Sequence, residues 1–113
     1  MPVERIAIRP SDKASRINTK LTETLTGNRT ITVEEIETYN GFSFDPGGAR
    51  NLVLPPEEAC KGVVIYISNE ADAAEVITVK DDGGSTIGTP TQNEAIVCWC
   101  DGVRWFGLVG ASS

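Results

Sequence analysis

Two of the three cysteines, Cys98 and Cys100, stand one residue apart in "CWCDGVRW", beside an Asp-Gly step and two tryptophans. Thiols this close invite redox or metal chemistry. On a β-strand, however, side chains two residues apart share a face about 6.5–7 Å apart, at or beyond the span of a disulfide. A structural zinc site asks for four Cys or His ligands, usually with two residues between cysteines, and this chain has no histidine and adds only Cys60. A redox pair is normally C-x-x-C at a helix start, where free N–H groups and the helix dipole stabilise thiolate. The spacing suits packing instead: Ile96, Cys98 and Cys100 as small hydrophobes on one strand face, with Ala95, Val97 and Trp99 on the other.

Other reactive patterns are equally sparse. The acidic pairs Glu34-Glu35, Glu57-Glu58 and Asp81-Asp82 lack the D-x-D-x-D-G arrangement of a calcium loop and read as turn residues. "DPGGA" and "DDGGS" are neither dinucleotide-binding nor phosphate-binding glycine loops. Serines abound, but no histidine is there to activate one. The chain is therefore expected not to be an enzyme, with no catalytic residue, metal or cofactor assigned.

The elements that would carry these residues follow from composition and patterning. A chain of 113 residues, 40% hydrophobic and 23% charged, is the size of one globular domain. No apolar run approaches the roughly 20 residues of a membrane span, so no membrane partner is expected. "MPVERIAIRP" is too charged for a secretory leader, and an odd cysteine count points to free thiols in a reducing compartment. Net charge is −6, unevenly placed: residues 1–29 hold six basic against three acidic side chains, the remainder four against thirteen. An acidic body repels phosphate backbones, which argues against nucleic acid, whereas the basic leader can settle on an acidic surface.

Val3 to Arg9 alternates well enough for one short strand, stopped by Pro10. The polar stretch to Asn28 reads as a weak helix or an arm that orders against a partner, giving an arm over 1–28 and a β domain over 29–113. Thr32 with Glu35 makes a capping box for a short helical turn. "DPGGA" makes a tight reversal, "RNLVLPP" a strand with Leu52 and Leu54 on one face, and "GVVIYIS" a central strand covered from both sides. About eight or nine short strands at this spacing predict an all-β, antiparallel, jelly-roll-like β-sandwich. Asp101-Gly102 is either a two-residue turn placing Trp99 opposite Arg104, whose guanidinium then covers the indole, or the centre of a four-residue loop pairing Cys100 with Trp105. A strand apolar on both faces also implies that a second subunit covers one of them, which puts Val97, Trp99 and Trp105 at a subunit interface.

The succession of Thr30 to Val33 before a helical turn, "DPGGARNLVLP", Gly62 before the central strand with Asn69 after it, "VITVKDDGG" and "CDGVRW" resembles a β-rich module of bacteriophage virion proteins. The resemblance is to head decoration (cement) proteins and some tail-fibre segments, and covers roughly residues 29–109. It implies a homotrimer made in the host cytoplasm, sitting on the virion's capsid surface where it binds and stabilises the shell of major capsid protein. It supplies no catalytic residue. In that setting the leader's Arg5, Arg9, Lys13 and Arg16, with Lys20, are the candidates for an acidic capsid surface, and Ile6 and Ile8 for strand addition to a capsid sheet. The alternative is a fibre or receptor-binding module recognising host glycan through Trp99, Trp105 or Tyr39.

Overall fold

The computed structural model describes Ile17 and residues 19–112. Nine strands and one helical turn occupy them: β1 (Lys20–Thr24), β2 (Arg29–Thr30), α1 (Val33–Thr38), β3 (Gly41–Asp45), β4 (Arg50–Val53), β5 (Val64–Asn69), β6 (Ile77–Lys80), β7 (Thr86–Gly88), β8 (Glu94–Cys100) and β9 (Trp105–Ala111). Five strands form one sheet in the order β1-β3-β5-β8-β9, and four form another in the order β2-β4-β6-β7. The chain is thus mostly β, in two sheets.

The expected all-antiparallel pairing is corrected. The pairs β1·β3, β3·β5, β2·β4 and β4·β6 are parallel, and only β5·β8, β6·β7 and β8·β9 are antiparallel. Parallel neighbours need a crossover rather than a hairpin. Here each crossover is a strand of the other sheet: the chain alternates between sheets from β1 to β6, laying down three stacked turns of a coil, and the antiparallel strands close it. "DPGGA" is accordingly a corner between sheets rather than a hairpin. Gly47 and Gly48 have φ of 66° and 149°, values that side chains with a Cβ disfavour. Arg50 pins the corner by donating from Nε to the Pro46 carbonyl at 2.8 Å.

The core lies between the sheets. Phe42 and Phe44 of β3, Ile65 and Ile67 of β5, and Ile96 and Cys98 of β8 meet Leu52, Ile77 and Val79 of the smaller sheet in one buried cluster. The capping box forms as the sequence requires: Thr32 Oγ1 accepts from Glu35 N at 3.2 Å, and Glu35 accepts from Thr32 N at 3.0 Å. That same Glu35 also joins an ion cluster. Arg29 donates from Nε and Nη2 to Glu23 at 3.0 and 2.8 Å, from both terminal nitrogens to Glu35 at 2.8 and 2.7 Å, and to the Thr30 carbonyl at 2.8 Å. All five guanidinium donors are thereby satisfied, and β1, β2 and α1 are tied together.

The assignment of residues up to 28 to an arm is also corrected in part. Lys20–Thr24 pairs along its full length with β3, and Leu25 is buried, because Leu21 and Leu25 find apolar partners in the core. The expected strand at Val3–Arg9 lies outside the described residues. Among the described residues, no helix is long and apolar enough to cross a membrane.

Candidate functional site

The thiols are core groups. Cys60, Cys98 and Cys100 are free and buried, and Cys98 and Cys100 share the inner face of β8 with Ile96. Burial pushes the Cys98 thiol up to about 12 and the Cys60 thiol to about 11, the latter helped by neighbouring Cys100 and Glu57. Both are therefore neutral thiols at physiological pH, the opposite of what a nucleophile or metal ligand needs.

The hairpin settles on the four-residue loop: Cys100 pairs with Trp105 and Trp99 with Phe106. Asp101 caps the loop, its Oδ1 accepting from Val103 N at 2.8 Å and Arg104 N at 2.9 Å. These bonds, that to Arg104 foremost, hold its carboxyl below the usual range. In this register Trp99 meets a ring instead of the Arg104 guanidinium. The Trp99 and Phe106 rings stack with centroids 5.7 Å apart and planes 18° from parallel.

Trp105, expected at a subunit interface, is instead a core residue. It is 6% exposed, and its indole N–H donates to the Pro55 carbonyl at 2.9 Å. Partners across a ladder share a face, so pairing with Cys100 turns Trp105 inward. Trp99 and Trp105 therefore lie on opposite faces of the sheet, and Tyr39 packs edge-on against Phe42 at 6.2 Å. The three aromatics considered for glycan recognition do not converge on one platform.

The outer face of β5, β8 and β9 is where apolar side chains remain uncovered. Strand register sets them in three rows: Val64, Trp99 and Phe106; Tyr66, Val97 and Leu108; Ser68, Ala95 and Gly110. None of these nine residues is charged, in a chain of net charge −6. Val64 is 45%, Trp99 38%, Phe106 36% and Leu108 66% exposed. A shallow depression of about 300 Å³ runs between Tyr66, Ala95, Val97, Leu108 and Gly110, and a second, lined by Ile17, Phe42 and Ser43, adjoins it at Tyr66 and Ala95. The expectation that "GVVIYIS" is covered on both sides is thus met on one side only: β5 is central in its sheet, but Val64 and Tyr66 face away from the core. Contiguous uncharged apolar surface of this kind marks a contact site.

Of the sequence-based candidates, Val97 and Trp99 belong to this face. Lys20 is an exposed residue at the start of β1; Arg5, Ile6, Ile8, Arg9, Lys13 and Arg16 lie outside the described residues. Val64, Tyr66, Phe106 and Leu108 were not singled out from sequence, though each has the same strand parity as Trp99 or Val97. Among the described residues, one group of carboxylates, Asp45, Asp72 and Glu75, brings oxygens within 4.8 Å of one another. Two of the three are half-buried and one exposed, a common surface arrangement.

No protein-family model matches the chain, and no match was found among curated proteins or solved structures.

Proposed function

We propose that this chain is a structural protein of a bacteriophage virion, a decoration protein that binds the assembled capsid shell and stabilises it by surface contact. The observation that carries the reading is the uncharged outer face of β5, β8 and β9, where Trp99, Phe106, Val64 and Leu108 stand open. A jelly-roll-like compaction of the two sheets belongs to the same reading. The rest comes from the resemblance of residues 29–109 to virion modules and from the charge division between leader and body.

Stabilisation by such a protein is mass action: a chain that binds the assembled shell and not the separated subunits shifts assembly toward the shell. Linked copies engaging neighbouring subunits act as one multivalent clamp. No bond is made or broken. Arg5, Arg9, Lys13 and Arg16 meet acidic capsid surface, while the sheet face packs on protein.

Co-sedimentation with undecorated, expanded capsids tests this. The full chain is expected to pellet with the shells and to raise their melting temperature. A chain that stays in the supernatant at every concentration contradicts the reading.

A further inference from the structure

We propose that β9 is a self-pairing edge: two copies of this chain join antiparallel through β9, with Val109 at the twofold axis, to make one continuous ten-stranded sheet.

The backbone supplies the first reason. At the hairpin end Asp101 N donates to Arg104 O, and at the far end Ser112 N donates to Asn93 O. Cys100 instead directs its N–H to Val63 O and its carbonyl to Gly62 N, both on the β5 side. Bonded and non-bonded pairs alternate along an antiparallel ladder. The bonds from β9 to β8 therefore fall at Phe106, Leu108 and Gly110, and the amides of Gly107, Val109 and Ala111 point to the open side of the strand. Among the described residues no backbone group pairs with them.

The second reason is the absence of protection. Exposed edges are normally guarded by charge, proline or shortness. β1 carries Lys20 and Glu23, β2 has two residues and β7 three. β9 has seven residues, "WFGLVGA", with neither a charge nor a proline. Elsewhere the net charge of −6 repels a second copy.

The third reason is Gly110. A Cβ at Gly107 would strike Ile87 at 2.5 Å and Ile96 at 2.9 Å, so the fold itself requires that glycine. A Cβ at Gly110 would meet nothing within 4 Å, and Gly110 is not among the glycines of positive φ. Nothing inside the chain asks for glycine there. With Val109 on the axis, Leu108 of each copy stands opposite Gly110 of the other, so a side chain that is 66% exposed in the single chain gains a cleared space. The two uncharged outer faces then merge into one.

The pairing rests on the proposed function only in treating this region as a contact surface, and its twofold symmetry differs from the threefold association that the resemblance implies. Sedimentation velocity on the full chain across a hundredfold concentration range is expected to show twice the 12.1 kDa chain mass. Hydrogen exchange on the same unaltered chain is expected to slow at Gly107, Val109 and Ala111 by tenfold or more on concentration, with Leu108 and Gly110 unchanged. Val109→Pro removes an outward amide while sparing the bonds to β8, and is expected to keep the far-UV spectrum and remain at single-chain mass. A single-chain mass at every concentration, a threefold species whose three outward amides exchange freely, or a Val109→Pro chain that retains the doubled mass would each overturn the pairing. A chain that pairs through β9 but ignores capsids upholds the pairing and overturns the shell reading alone.

Discussion

Trp99 and Phe106 stand opposite each other on neighbouring strands, their rings stacked at 5.7 Å on a face that the chain leaves open. Each ring covers one side of the other and presents its second side outward. Such a pair is worth about 0.5–1.5 kcal/mol within the fold, too little to explain two large aromatics 38% and 36% exposed.

Replacing Trp99 by Ala is therefore expected to cost folding stability no more than about 1.5 kcal/mol while weakening association with shells or with other copies at least tenfold. Denaturant unfolding and capsid co-sedimentation on the same preparation separate the two effects. A loss of fold stability with undiminished association would remove the face from the site.

The leader carries a separate prediction. Reversing Arg5, Arg9, Lys13 and Arg16 to Glu in the full chain is expected to weaken capsid binding and to flatten its dependence on salt, since exposed charge pairs are screened over about 10 Å at 0.1 M ionic strength. Binding that is unchanged at low salt would show that the leader is incidental.

Arg29 governs behaviour in acid. Hydrogen bonds from its guanidinium hold the carboxyls of Glu23 and Glu35 below the usual range. A group whose pKa is lower when folded contributes stability above its unfolded value, about 4.3 for Glu, and loses it as pH falls through the folded value. The melting temperature should consequently fall as pH drops below about 4.3. Arg29→Ala should cost roughly 1–3 kcal/mol near neutrality, with the gap to the unaltered chain closing toward low pH.

The buried thiols behave in the opposite direction. With Cys98 raised to about 12 and Cys60 to about 11, stability is complete below the unfolded thiol value near 8.5 and declines above it. Thiol reagents at pH 8 should label none of the three cysteines in the folded chain and all of them in denaturant. Cys98→Ala should be tolerated better than Cys98→Ser, which buries a hydroxyl without a partner at a cost of about 1–3 kcal/mol.

How far the sequence could be read depended on the range of the interaction. The capping box of Thr32 and Glu35 spans three residues, and the shared face of Ile96, Cys98 and Cys100 follows from a period of two; both are local and both are found. The sheet order is not local. A Gly-rich link such as residues 46–49 serves a hairpin or a corner between sheets equally well, so strand spacing left the parallel coil unseen. Arg29 joins carboxylates on two separate elements, a meeting that only the folded chain reveals. The inward turn of Trp105 hung on loop length: the four-residue loop gives it the parity of the cysteines and leaves Trp99, with Phe106, outside.

Hydroxyl-radical footprinting of the chain, free at low concentration and bound to capsids, bears most directly on the contact role of the outer face. Trp99, Phe106 and Leu108 are expected to be labelled in the free chain and protected when bound, with Trp105, Phe42 and Phe44 protected in both states. Equal labelling of Trp99 and Leu108 in the two states would contradict it.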